Sequence, residues 1–272
     1  MKKSIFYIAI ALITFSSCTE DNQTTEIPQN VIVEGFLYAN QPISNLKLMS
    51  IIPYYDSLDN QNTITDANVT IEVDGNSFSM TSLGNGYYEL PNIVVEEGKT
   101  YAINLEYYDK TVEAETVIPT TLTGLMISDT LVELTRATTS GPPTGNGNVN
   151  QPPLEISWDD DGISYYFVHI QNMETEIDWI NTNRIPEEES LFSFSSEPEL
   201  TDLFSLNVGR QLTQFGQHRV IIYKVNPEYA LMLSEQSDAS FSLTEPYTNI
   251  TNGRGIFTGI SSDTLYFDVE PL

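Results

Sequence analysis

Apolar and polar residues alternate with period two over much of the chain between residues 31 and 117. Val31, Val33 and Gly35 alternate with Ile32, Glu34 and Phe36. Ala67, Val69, Ile71 and Val73 alternate with Asn68, Thr70 and Glu72. Tyr101, Ile103, Leu105 and Tyr107 alternate with Ala102, Asn104 and Glu106, and Val112 and Ala114 continue the pattern toward Pro119. A period of two sends successive side chains to opposite faces, so these runs predict strands with one buried face. Asp74-Gly75 and Gly84-Asn85-Gly86 punctuate the runs as turns. No helical period occurs in residues 30–118, and residues 30–119 are expected to form a small β-sandwich.

The alternation is less regular beyond Pro119. Leu125 to Leu134 predicts a strand, Leu154, Ile156 and Trp158 another, and Tyr165 to Ile170 a third after the turn Asp159-Asp160-Asp161-Gly162. A Trp strand, an acidic turn and a Tyr-rich strand resemble the core hairpin of fibronectin-type or immunoglobulin-like sandwiches. Residues 218–225 and 263–269 predict two more strands. Pro227 to Ser237 predicts a helix with Pro227 in its first turn, and Glu199 to Leu203 a second helical turn. Ser140-Gly141-Pro142-Pro143 and Gly145-Asn146-Gly147-Asn148 predict a disordered loop near 137–153. The fold class expected is mainly β: two β-sandwich domains, residues 30–119 and 120–272, with short helical insertions in the second.

The first thirty residues follow a different pattern. Lys2 and Lys3 precede an apolar run from Ile5 to Phe15, then Ser16, Ser17 and Cys18. A charged start and an apolar run too short to span a bilayer predict a signal peptide. Small residues before a Cys look like a lipoprotein signal, in which the Cys is acylated and becomes the first mature residue. Phe15 stands where Leu is commoner. The alternative is an ordinary secretory signal with an incidental Cys. The leading reading makes residues 1–17 a lipoprotein signal peptide, Cys18 the lipidation site and residues 18–29 a flexible tether.

Composition narrows the function. The 272 residues carry 11 Lys+Arg against 38 Asp+Glu, a formal net charge of -27. Such a charge argues against phosphate-backbone binding, so no nucleic acid partner is expected. One Cys excludes an internal disulfide framework and every multi-Cys metal site. Only lipid is expected to anchor the chain, because no second apolar stretch approaches transmembrane length.

Three groups of residues suggest a family. They are Val31-Ile32-Val33-Glu34-Gly35-Phe36-Leu37 with Ala67-Asn68-Val69 and Gly86-Tyr87-Tyr88, then Ile156-Ser157-Trp158-Asp159 leading into Tyr165-Tyr166. The last is Pro246-Tyr247-Thr248-Asn249-Ile250 followed by Asn252-Gly253-Arg254-Gly255-Ile256-Phe257. In order and spacing the chain resembles a family of Bacteroidota outer-membrane lipoproteins catalogued as a domain of unknown function. Arg254 departs from that pattern, where a small or apolar residue is more typical. The resemblance implies a first domain similar to the carboxypeptidase-regulatory, transthyretin-like sandwich. It also implies genes beside TonB-dependent receptors, and it brings no catalytic residues. Glu20 and Asp21, directly after Cys18-Thr19, resemble the surface-export signal of such lipoproteins. The expected location is the outer membrane, facing the cell surface, with an outer-membrane β-barrel as partner.

Candidate chemistry is sparse. His169 is expected to face outward from a strand and His218 to cap a strand end, and no Gly-x-Ser-x-Gly elbow accompanies them. Two His and no free Cys make zinc improbable. Asp159-Asp160-Asp161-Gly162 lacks the acid spacing of a calcium loop and reads as a tight turn. No cofactor motif and no metal set is present, and no enzymatic activity is expected. Most of the 15 Tyr, 12 Phe and 2 Trp are expected to fill the cores, with Trp179 the best candidate for an exposed, ligand-binding aromatic. Ser57, Thr130 and Thr264 each follow Asp and precede Leu, which looks like a Bacteroidota O-glycosylation pattern. Two functions follow as expectations: a non-enzymatic accessory lipoprotein beside a TonB-dependent transporter or other β-barrel, or a stand-alone surface glycan- or peptide-binding lipoprotein.

Overall fold

Strand β1 (Val31–Tyr38) shows the period-two rule in its simplest form, with odd residues buried and even residues half-buried. The computed structural model describes residues 31–50, 63–137, 148, 150–238 (235–238 by their backbone) and 247–272. The expectations on residues 1–17, on the tether 18–29 with Cys18, and on Ser57 lie outside the described residues. Among those described, the chain is mainly β.

The first core lies between two sheets. One contains β1, β2 (Pro42–Ser50), β5 (Thr81–Gly84) and β6 (Tyr87–Val94). The other runs in the order β4 (Asn76–Ser79), β3 (Val69–Val73), β7 (Thr100–Tyr107), β8 (Lys110–Val117). Asp74 and Gly75 join β3 to β4 with φ of 51° and 73°, the two left-handed positions of a tight hairpin turn. Val33, Leu48, Ile71, Ile103 and Tyr101 fill the space between the sheets. Tyr88 is buried there, and its hydroxyl donates to the Ile64 carbonyl at 3.1 Å and accepts from Ala67 N–H at 3.1 Å.

The second core has the same construction. The expected strand Leu125–Leu134 is two short strands, β9 (Met126–Ile127) and β10 (Leu131–Leu134), in different sheets. One sheet runs β14 (Leu203–Leu206), β11 (Leu154–Ser157), β9. Facing it are β13 (Ser193–Ser195), β12 (Tyr165–Asn172) and β15 (Gly216–Val225). The acidic turn therefore connects the two sheets and does not close a hairpin within one. The Trp158 and Tyr166 rings meet across the core at 5.4 Å. Glu199 is extended and pairs with Tyr166, so the helical turn expected at Glu199–Leu203 is absent; the short helix α1 (Val208–Gln211) forms farther on. The helix expected from Pro227 is present as α2 (Pro227–Asp238).

One strand belongs to both cores. β16 (Gly253–Pro271) is 19 residues long. Its residues 253–260 pair in parallel with β1, residues 260–269 pair antiparallel with β15, and residues 268–271 pair in parallel with β10. Phe257 sits in the first core, and Phe267 and Val269 in the second. The result is one nine-stranded sheet crossing both sandwiches. Gly255 makes the passage possible. Its φ is +99°, and a Cβ there would lie 2.0 Å from the Val33 carbonyl oxygen. Asn249 clamps the same stretch, donating to the Phe257 carbonyl at 2.7 Å and accepting its N–H at 3.0 Å.

The linker between the cores is fixed from both sides. Glu97 accepts from the N–H of Thr121 at 2.7 Å and from its hydroxyl. The Thr120 carbonyl accepts from Ser261 at 3.1 Å, and the Thr120 hydroxyl from Lys224 at 3.3 Å. Helix α2 covers the outer face of the shared sheet. Its Tyr229 ring lies 6.2 Å from Phe36 of β1 and 5.7 Å from Phe167 of β12, which stacks on Tyr223 at 4.6 Å.

Candidate ligand site

Trp179 lies on a short segment laid between two others. Its neighbour Ile180 donates to the Thr213 carbonyl at 3.0 Å and accepts from Ala137 N–H at 2.9 Å. Phe215 N–H donates to the Asp178 carbonyl at 2.8 Å. Arg136 locks the segment from outside. Its Nη1 donates to Asp178 Oδ1 at 2.5 Å and to the Trp179 carbonyl at 2.9 Å, and its Nη2 donates to Asp178 Oδ2 at 2.8 Å. The guanidinium lies 4.6 Å from the centre of the Phe215 ring. This bidentate bond holds the Asp178 carboxyl below its usual range, and the same bond raises Arg136. The main chain at Trp179 is thus fixed, and its side chain is half-buried rather than fully exposed.

The ring borders a cavity of about 160 Å³. The apolar wall is Leu134, Ile180 and Leu212, all buried. The polar wall includes Asn148, Arg184 and Arg210. Asn148 is buried and set by a paired contact: its side chain accepts from Thr135 N–H at 2.8 Å and donates to the Thr135 carbonyl at 2.9 Å. Of the loop expected near 137–153, residues 138–147 and 149 lie outside the described residues. Gly209 of α1 lets the Asn148 backbone approach, since a Cβ there would be 1.9 Å from the Asn148 carbonyl oxygen. Arg184 and Arg210 are exposed, and neither forms an ion pair among the described residues. No Asp or Glu is among the described residues lining the cavity. By contrast, a groove of about 580 Å³ beside β10 is lined by Asp129, Glu133 and Glu155, as an acidic chain leads one to expect.

The sequence singles out Trp179 but not Arg184, Arg210 or Asn148, which the fold brings to the same cavity. The available signal was scarcity: with 11 basic residues against 38 acidic ones, each arginine is worth placing.

The other candidates take structural positions. His169 faces outward on β12 with Nδ1 2.8 Å from Ser195 Oγ and Nε2 3.2 Å from Gln171 Oε1. A neutral amide in the third place can orient the ring but supplies no charge to stabilise an imidazolium. His218 does not cap a strand end. It is fully buried in β15, stacked on Phe267 at 5.1 Å, with Nδ1 3.0 Å from the Gly216 carbonyl and Nε2 without a partner among the described residues. Burial pushes its pKa down. The acidic turn is a tight turn: Asp160 accepts from Gly162 N–H, and Asp161 from Ile163 and Ser164 N–H. Asp161 also pairs with Lys224 at 2.9 Å. Among the described residues no group of three or more His, Cys, Asp or Glu is placed to hold a metal ion. Thr130 is exposed before β10, and Thr264 is half-buried within β16. Among the described residues no helix is long and apolar enough to cross a membrane.

Two solved structures are similar to the chain. A two-domain fibronectin type III segment of chicken tenascin is 11% identical, with 87% of this chain and 98% of that chain covered and a TM-score of 0.25. The FN1–FN3 domains of chicken CNTN1 are 10% identical, with 71% of this chain and 57% of that chain covered and a TM-score of 0.28. At these TM-scores the likeness carries no argument. No curated protein matches the chain. The family described as "Domain of unknown function (DUF4249)" matches residues 19–265, nearly the whole length of both sandwiches, and the chain belongs to that family.

Proposed function

We propose that the chain is a non-enzymatic accessory lipoprotein of the Bacteroidota outer membrane. It is held by acyl chains on Cys18, faces the cell surface, and works beside a TonB-dependent transporter or another outer-membrane β-barrel. The observation that supports this reading is the shared strand β16. The two sandwiches cannot hinge apart without breaking its main-chain bonds to β1 or to β15. Such a unit suits work as a fixed docking surface, because a partner that engages it loses little freedom in ordering it. Lipid tethering confines the surface to the membrane and raises its effective concentration beside a membrane partner. The Trp179 cavity gives that surface a place to receive a ligand. The same cavity favours the second reading, a glycan- or peptide-binding lipoprotein that acts without a barrel.

The anchor is tested by the intact mass of the protein extracted from membranes and by a Cys18→Ala variant. The expected mature chain lacks residues 1–17 and carries acyl groups on Cys18, and the variant leaves the membrane fraction. A variant that stays in the membrane, or a mature chain without acyl groups, overturns the reading. Surface exposure is tested by protease treatment of intact cells, with degradation expected and full protection contradicting it.

A further inference from the structure

We propose that the Trp179 cavity is an anion subsite that receives a carboxylate-bearing sugar unit at the end of a larger saccharide. The inference rests on the reading of this cavity as a ligand site and adds the class of ligand. Three features support it. First, the wall carries Arg184 and Arg210 and no described carboxylate, in a chain of net charge -27. Neither arginine has an ion-pair partner among the described residues. Guanidinium groups present fixed forks of N–H donors that match a carboxylate. The surrounding negative field repels free anions at long range, so selectivity has to come from contact inside the cavity.

Second, Trp179 presents a half-buried ring beside these donors, on a main chain fixed by Arg136 and Asp178. An indole face takes the C–H face of a saturated ring without needing a charge. A carboxylate and an apolar ring face on one small unit describe a uronic-type sugar. Third, the cavity is about 160 Å³, well below the roughly 300–1,000 Å³ that holds a drug-sized ligand. It admits one terminal unit, and the remainder of the ligand lies outside. A neutral sugar gains no charge-assisted contact with either arginine, and a simple carboxylate leaves the indole face uncovered.

The test is a titration of the detergent-solubilised full-length protein followed by tryptophan fluorescence. The chain has 2 Trp, and Trp158 is buried at 4% exposure, so a ligand-dependent change reports Trp179. The probes are methyl glucuronide, methyl glucoside, acetate and a short peptide with a free C-terminal carboxylate. The expected result is saturable quenching by the glucuronide alone, weakened about tenfold by Arg184→Gln or by Arg210→Gln. Both arginines are exposed, so these variants are expected to fold, which a thermal melt checks.

Equal response to the glucoside, unaffected by either Arg variant, overturns the anion inference and leaves the cavity as a ligand site. A peptide that binds better than the glucuronide overturns the saccharide assignment. A response to acetate equal to that of the glucuronide shows an arginine contact with no role for the indole and also overturns it. No response to any probe overturns both the inference and the ligand-site reading.

Discussion

Asp161→Ala is expected to destabilise the fold by about 3 kcal/mol. Lys224 has a side chain only 7% exposed, and its ammonium meets Asp161 at 2.9 Å. Its remaining hydrogen bond is to the Thr120 hydroxyl at 3.3 Å, which cannot neutralise it, and the Glu97 carboxylate adds only a weaker attraction without a direct ion pair. Breaking a buried pair by removing one partner costs about 3–5 kcal/mol, because the other charge stays buried without compensation. Asp161 is 39% exposed, so water can reach the vacated place, and the lower end of the range applies. Lys224→Met has a smaller effect, about 1 kcal/mol, since the carboxylate keeps water and the N–H groups of Ile163 and Ser164. The double variant is therefore more stable than Asp161→Ala alone. The pH dependence has a definite sign. Burial pushes the Asp161 carboxyl up, but the Ser164 N–H, the Lys224 ammonium and the Ile163 N–H outweigh it and hold it well below the usual range. Its contribution is present above the ordinary carboxylate pKa near 4 and is lost as pH falls below it. Urea denaturation at pH 7 of the four proteins in the cycle measures the coupling. A cost below about 1 kcal/mol for Asp161→Ala, or additivity of the two changes, refutes the argument.

Gly255→Ala is expected to cost about 2 kcal/mol or more, from its φ of +99° and the 2.0 Å approach to Val33 O, measured by urea midpoint; a midpoint equal to wild type contradicts the threading of β16. His218 has a depressed pKa when folded, so the unfolded chain takes the proton first and stability falls as pH drops below about 6.5. His218→Phe is expected to flatten that fall between pH 7 and 5, and an unchanged slope counts against it. Arg136→Gln is expected to cost about 0.5–1 kcal/mol, as the pair is partly exposed, and to shift Trp179 emission to the red. Emission identical to wild type contradicts the locking role of Arg136.

What the sequence revealed depended on how many faces of an element are buried. β1 and β7 have one buried face and alternate cleanly, so their strands were legible. β16 was read only over residues 263–269, because Ile256 to Ser261 are buried without alternation and Asn252-Gly253-Arg254-Gly255 resembles a turn. Its service to both cores depends on pairing partners more than a hundred residues away, which no local pattern records. Glu199 was misread because its extended form is imposed by Tyr166. His218 could have been placed: Val220 and Ile222 set the phase of β15, and that phase puts residue 218 on the core side. The Trp179 cavity draws on residues 134, 148, 179, 184 and 210, whose meeting is a product of the fold. Of these residues only Trp179 is singled out by the sequence, as an aromatic expected to be exposed.

In the proposed function this chain works as the tethered partner of an outer-membrane barrel. That role is tested by isolating the tagged, natively expressed protein in mild detergent and quantifying the co-purifying proteins by mass spectrometry. The expected result is one outer-membrane β-barrel protein at near-stoichiometric amount, retained on washing and lost from the membrane-free Cys18→Ala variant. Recovery of the lipoprotein alone, under conditions in which a known barrel complex from the same cells survives, contradicts it.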